Sequence, residues 1–171
     1  DAVLKYKPKR IIEFGPLNGY TTVAMAMALD ELKAGKITSY DLFEDYIYRH
    51  ASMEEVVRSF RQFPQIIIKK MDAFEAHKEY QLGTVDFLHV DLSNTGETVN
   101  RIMELWDDRM VQGGVILFEG GTEERDQVEW MVKYNARPIK PVIETNPLIQ
   151  AKYIYGTYLK FPGLTMLLKK R

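Results

Sequence analysis

Glu13, Asp41, Asp72, Asp91 and Glu119 share one kind of position: each stands at or just beyond the end of a short apolar run. Carboxylates repeated in this way can accept hydrogen bonds from hydroxyls and amines and can neutralise a cation. The first of them opens the segment Glu13-Phe14-Gly15-Pro16-Leu17-Asn18-Gly19-Tyr20. This reads ExGxxxG, with a carboxylate two residues before the first glycine. A strand, a glycine turn and a helix in succession hold a nucleotide-like ligand at a helix N-terminus. The spacing is not the GxGxxG of a dinucleotide fingerprint. Any one of these acids could instead cap the helix after its strand. All of them in the same position favour convergence on one ligand.

Such a rim of acids needs parallel strands whose C-terminal ends lie side by side, and the sequence supplies alternating strands and helices. The end of a helix over Val3 to Tyr6, stopped by Pro8, precedes strand one, Arg10 to Phe14. The pattern predicts a helix over Thr21 to Lys33, with Val23, Met27 and Leu32 on one face and Gly35 ending it. Strand two is Lys36 to Tyr40. A long helix is expected over Glu44 to Phe63, with Ile47, Val56, Val57 and Phe60 inward. Gln65 to Lys70 is strand three, and a short polar helix follows over Ala73 to Gln81. Val85 to Val90 is strand four, and Glu97 to Asp108 is a helix with Val99, Ile102, Met103 and Trp106 inward. Gly113-Gly114 reads as the turn into strand five, Val115 to Phe118. Glu123 to Tyr134 reads as one helix with acids in its first turn, where they suit the dipole. Arg137 to Pro147 holds three prolines and reads as a loop or edge segment. Tyr153 to Phe161 and Leu164 to Lys169 form a hairpin around Pro162-Gly163. The expected fold class is α/β: a Rossmann-like, doubly wound, seven-stranded sheet, mostly parallel, with a C-terminal antiparallel hairpin.

The 171 residues carry a net charge of −1, with 46% hydrophobic and 27% charged residues, enough for one domain with a full core. The balanced charge argues against a nucleic-acid partner, which would need clustered Lys and Arg. With no cysteine, disulfides, thiolate metal sites and a cysteine nucleophile are excluded. A cytoplasmic location fits that composition. No apolar run is long enough for a membrane span, and no signal-peptide pattern is present.

The ExGxxxG segment resembles motif I of the class I S-adenosylmethionine-dependent methyltransferases. Val85-Asp86-Phe87-Leu88-His89-Val90-Asp91, followed by a helix and Gly113-Gly114-Val115-Ile116-Leu117-Phe118-Glu119, resembles strands four and five of the small O-methyltransferase-type domains. The terminal hairpin is similar to that class's antiparallel seventh strand beside the fifth. The resemblance covers nearly the whole chain. It implies that S-adenosylmethionine is the cofactor, with Gly15 and Gly19 letting the backbone pass close to its methionine part. Glu13 would hold the amino group, directly or through water. Asp41 would bind the ribose hydroxyls, and Asp72 the adenine amine with Ala73 at the ring edge. Leu42 would pack on the adenine face or serve as ordinary core. Tyr20 and Thr21 would line the methionine end, unless Thr21 is a plain helix-start residue.

Asp91 is the candidate for chemistry: to orient the donor, bind a metal or take the acceptor's proton. Metal-dependent O-methyltransferases place an Asp after strand four and an Asp-Asn pair after strand five. By that resemblance Asp91 and Glu119 would hold a divalent cation such as Mg²⁺, which would activate an acceptor oxygen. The chain departs from the pattern at Gly120, where the amide ligand is missing; Asn94 could supply an oxygen instead. His89 either approaches the site from inside the sheet or is a buried structural histidine, and His50 and His77 read as surface residues. Tyr153, Tyr155 and Tyr158 would line an aromatic acceptor pocket or belong to a half-exposed strand. The Ser93-Asn94-Thr95-Gly96 loop lies where a substrate loop would lie.

The leading expectation is methyl transfer to a hydroxyl of a small-molecule acceptor by direct displacement. Binding of S-adenosylmethionine without catalysis is the second reading, and a Rossmann nucleotide-dependent oxidoreductase the third. Because the chain starts just before strand one, N-terminal lid helices are expected to be missing from these residues. Otherwise the site is open and closed by a partner or a second subunit, as in a homo-oligomer.

Overall fold

A computed structural model of the chain describes residues 1–47 and 51–171. Its frame is a seven-stranded sheet in the order β3-β2-β1-β4-β5-β7-β6. The strands are β1 (Arg10–Phe14), β2 (Lys36–Asp41), β3 (Ile66–Lys70), β4 (Val85–Val90), β5 (Met110–Glu119), β6 (Tyr153–Tyr158) and β7 (Leu164–Lys169). The first five run parallel, while β7 inserts antiparallel between β5 and β6. Both the mostly parallel sheet and the C-terminal antiparallel hairpin match the sequence reading.

Successive residues of a strand point to opposite faces, so the Ile11-Ile12 pair supplies both. On one face Ile12, Phe14, Leu88, Val90, Ile116 and Phe118 pack against α4 (Gly96–Trp106), α7 (Ile139–Thr145) and α8 (Pro147–Lys152). On the other, Ile11, Ile37, Phe87, Val115 and Leu117 meet α1 (Ala2–Tyr6) and α2 (Tyr20–Leu32). α4 buries Val99, Ile102, Met103 and Trp106, the face expected from its spacing. Full burial of each such apolar side chain is worth roughly 1.5–3 kcal/mol. Among the described residues no helix is long and apolar enough to cross a membrane.

Several elements differ from the sequence reading. α2 buries Thr22, Met25, Ala26 and Leu29, and Met27 is exposed. The run from Thr21 to Leu29 is apolar on nearly every side, so periodicity alone does not select its inner face. The long helix expected over Glu44 to Phe63 is a 3₁₀ turn at Phe43–Asp45 and a short α3 (Met53–Ser59). Ser52 and Glu55 form a capping box that starts the helix there. Val56 and Phe60 are buried as expected, but Ile47 and Val57 are exposed. His50 lies outside the described residues. The helix expected from Ala73 is a 3₁₀ turn at Ala76–Glu79.

Gly113 and Gly114 do not lead into β5 but lie within it. The β4–β5 register jumps from Val85↔Met110 to Phe87↔Val115, a bulge that Gly113 permits at φ 78°. The acidic helix divides into α5 (Glu123–Asp126) and α6 (Glu129–Lys133). The proline-rich stretch read as a loop forms α7 and the start of α8. Pro138 is an N-cap, Pro141 falls in the first turn and Pro147 is at a helix start, positions that need no N–H donor.

Candidate active site

Backbone bonds continue past the strand ends and hold the loops side by side. Gly15 N–H donates to the Tyr40 carbonyl at 3.0 Å, Asp91 N–H to Phe14 at 3.0 Å and Met71 N–H to Asp41 at 3.1 Å. Gly15 leaves β1 at φ +74°, and a Cβ there would fall 2.1 Å from the Asp91 carbonyl oxygen. The glycine is therefore what lets the β1 and β4 ends close together.

Between these loops lies a cavity of about 650 Å³, within the size range of ligand sites. Asp41, Asp72 and Asp91 line it, together with Gly15, Leu42 and Ala73. Asp41 Oδ1 accepts from Phe43 N–H and Asp72 Oδ1 accepts from Phe74 N–H, each at 2.8 Å. These paired local turns fix two carboxylates at neighbouring strand ends. The remaining wall is largely apolar and includes Leu17, Met71, Phe74 and Leu92, with Tyr46, Ser93 and Thr98 adding hydroxyls.

Asp91 is half-buried, and its carboxyl is pushed up to about 6. Burial is the main cause; His89 opposes the rise, and the neighbouring Glu119 and Glu13 carboxyls add to it. Glu119 does not line the cavity. Arg125, itself buried, donates from Nε to Glu119 Oε1 at 2.8 Å and stacks on Trp130 at 5.0 Å.

Other residues marked in the sequence lie elsewhere. Glu13 is fully buried beneath the rim, where Oε2 accepts from Ser39 Oγ at 2.6 Å and Thr22 Oγ1 at 2.7 Å. Gly19 caps α2 at φ 75°, and a Cβ there would fall 2.1 Å from the Phe60 ring. Tyr20 is 83% exposed and does not line the cavity. His89 is buried with Nδ1 3.3 Å from Glu13 Oε1, while His77 is half-buried against the Phe74 carbonyl. Tyr153 is buried and donates to Asp107 Oδ1 at 2.9 Å; Tyr155 and Tyr158 are exposed.

The donor set does not fit a divalent cation. Asp91 lines the cavity but Glu119 does not, and Glu119 already faces the Arg125 guanidinium. Asn94 is buried with its amide nitrogen on the Val90 and Glu119 carbonyls, at 3.0 and 3.2 Å, joining the β4 and β5 ends. Gly120 has no side chain to offer. Among the described residues no group of three or more His, Asp or Glu is placed to hold a metal.

Sequence reasoning missed Phe74, Met71, Tyr46 and Thr98 as lining residues. Phe74 was within reach, two residues beyond Asp72 in the same turn. Tyr46 was hidden because its segment reads as a long helix.

A methyltransferase-domain family profile matches residues 12–119, from β1 to the end of β5. No curated protein matches the sequence. Among solved structures, the SAH-bound methyltransferase PaMTH1 of Podospora anserina is similar, with a TM-score of 0.68 at 16% identity, covering 99% of this chain and 75% of that one. The O-methyltransferase of Bacillus cereus in complex with SAH gives 0.68 at 14% identity, covering 99% and 77%. TomG of Streptomyces achromogenes, an O-methyltransferase of tomaymycin synthesis in complex with SAM, gives 0.69 at 13%, also covering 99% and 77%. The match from the first strand through the fifth takes in the entire acid-lined rim, and on it the chain belongs to the methyltransferase-domain family, with the fold of the class I S-adenosylmethionine-dependent enzymes.

Proposed function

We propose that this chain binds S-adenosylmethionine in the rim cavity and directs its methyl group to a hydroxyl of a small molecule. The observation that carries this reading is the order of Asp72, Asp41 and Asp91 along one largely apolar cavity, at the ends of β3, β2 and β4. A purine, a ribose and a cationic amino acid in series need that order. The bound donor supplies a methyl group already activated on a positively charged sulfur.

In this reading Asp41 accepts hydrogen bonds from the ribose hydroxyls, and Asp72 accepts from the adenine amine. Leu42, Ala73 and Phe74 cover the base. Gly15 brings backbone to the methionine end, where Asp91 faces positive charge. Glu13 acts from below the rim by holding Ser39 and Thr22, and reaches the amino group only through water. Displacement at the methyl carbon needs alignment of donor and acceptor above all, which a cavity fixed by backbone bonds provides. The small-molecule acceptor is favoured over nucleic acid by the balanced charge.

Calorimetric titration with S-adenosylmethionine and S-adenosylhomocysteine tests the donor site, with NAD as the control and with Mg²⁺ present or absent. Micromolar binding of the first two, unchanged by Mg²⁺, is the expected result. Tighter binding of NAD would replace this reading with a nucleotide-dependent oxidoreductase. Donor binding with no methyl transfer to any hydroxyl compound would leave a binding protein.

A further inference from the structure

The ends of β4 and β5 bring together oxygens that a cation could use. Val90 pairs with Phe118, so Asp91 and Glu119, the next residue of each parallel run, stand side by side. Neighbouring strands lie about 4.8 Å apart. Asn94 Oδ1, in the loop after β4, is buried and has no hydrogen-bond partner among the described residues. Two carboxylates and an amide oxygen are ligands that a hard divalent cation takes when they are free to bind it.

Arg125 is what stands against that use. Its side chain is 5% exposed, and Nε donates to Glu119 Oε1 at 2.8 Å. Gly120 stands where an amide ligand would follow the acid. A Cβ there would fall 2.6 Å from Ile139 Cδ1 and 3.4 Å from Arg125 Cγ. The arginine stem and Ile139 thus fill the space of the missing side chain. Both are held in place. Thr122 Oγ1 accepts the Arg125 N–H at 3.2 Å, the guanidinium lies 5.0 Å from the Trp130 ring, and Asp126 accepts from the Ile139 and Lys140 N–H groups. Burial of a guanidinium is costly, and Nη1 has no hydrogen-bond partner among the described residues. Packing alone therefore does not explain a cation here.

We propose that Arg125 is the resident cation of this rim: it holds Glu119 at the end of β5 and keeps divalent cations off Asp91, Glu119 and Asn94. It acts through Glu119 and is a positioning residue. The exclusion of metal stands without any ligand, whereas its use rests on the donor reading above. With the charge of Glu119 offset by Arg125, Asp91 is the rim carboxylate left to face the donor's sulfonium. A divalent cation between the two acids would set like charge beside that sulfur and oppose donor binding. A guanidinium paired with its own carboxylate adds no such net charge.

The test uses the 171-residue chain with Mn²⁺ as the probe and no donor present, bound and free metal being counted by electron paramagnetic resonance. Arg125→Met and Arg125→Gln should each gain one site with a Kd of about 1 mM or tighter, as weak oxygen sites have, and at least tenfold tighter than any binding by wild type. Arg125→Lys, which keeps the charge, should bind no more tightly than wild type. Adding Glu119→Gln to Arg125→Met should abolish the gained site. A merely structural arginine would lower stability in the Met and Gln variants and leave Mn²⁺ binding unchanged, which overturns the inference. A gained site that survives Glu119→Gln also overturns it. So does Mn²⁺ that binds wild type and selectively broadens the Arg125 Nε–H signal in a ¹⁵N spectrum, a measurement that needs no variant to fold. In Arg125→Met, about 5 mM Mn²⁺ should weaken S-adenosylmethionine binding at least threefold, and no weakening would overturn the role given to Arg125 at the methyl end. Failure of wild type and variants alike to bind the donor, with the Mn²⁺ pattern as expected, would count against the donor reading and leave the exclusion of metal standing.

Discussion

Asp91 and Glu119 follow or end adjacent parallel strands, and the Glu119 carboxyl joins burial in pushing up the Asp91 carboxyl. With the native carboxyl raised to about 6 from 3.8, the folded chain holds more protons than the unfolded chain between those values. The stability gained is fully present below the unfolded value and is lost as pH rises through about 6. Asp91→Asn removes that loss. It should be more stable than wild type at pH 8 by on the order of 1 kcal/mol, allowing for solvent screening, and show no gain at pH 4. Urea unfolding at both pH values measures this, and an equal difference at the two would show that the buried Asp91 carboxyl is not raised.

Asp41 holds a local turn and, in the proposed function, the donor's ribose, and two substitutions separate these roles. Its Oδ1 accepts the Phe43 N–H at 2.8 Å, in a turn that carries Phe43 at φ 50°. Asp41→Asn keeps an oxygen for that bond but removes the charge. Donor affinity is expected to fall at least tenfold in both Asn and Ala variants, for loss of charge-assisted bonds worth about 1.5–3 kcal/mol. Thermal stability should fall only in the Ala variant. Unchanged affinity in both would remove Asp41 from the donor site.

Gly15→Ala brings a methyl group to 2.1 Å from the Asp91 carbonyl oxygen, in backbone at φ +74°. The strained backbone and the clash together should cost about 3 kcal/mol or more. Denaturant midpoints report it directly. A cost below about 1 kcal/mol would mean the β1 and β4 ends can part freely, contrary to a rim fixed by backbone bonds.

Arg125 offsets the charge of Glu119 from a buried position. Arg125→Met leaves that carboxylate beside Asp91 without its cation and should destabilise by about 2–3 kcal/mol, below a fully buried pair because Glu119 is half-exposed. Adding Glu119→Gln should recover part of the loss, and a double-mutant cycle in urea reads the coupling. Strictly additive costs would show that the contact carries no stability.

The parallel frame was legible because its strands are compact apolar runs ended by acids; β1 and β4 have the predicted bounds. α4 was legible for a related reason, since Val99, Ile102, Met103 and Trp106 contrast with polar neighbours. α2 offers no such contrast, and the choice between Met25 and Met27 depends on what the sheet face presents. Prolines misled the reading of Arg137 to Pro147 because their cost depends on position within a turn, which composition does not record. In the site, Asp41, Asp72 and Asp91 follow from strand ends alone. The sealed position of Glu13 does not, because it depends on Ser39 and Thr22 from two other elements.

Insertion of β7 between β5 and β6 has a consequence for how the chain is made. Gly120, at the end of β5, and Thr165, in β7, are bonded partners 45 residues apart in sequence. At about 5–20 residues per second, the far flank of β5 stays an open edge for several seconds during synthesis. The apolar stretch Val115-Ile116-Leu117-Phe118 is the part left uncovered. Nascent chains stalled before Leu164 should therefore expose a sticky, unpaired strand and draw chaperones, while those that have passed Lys169 should not.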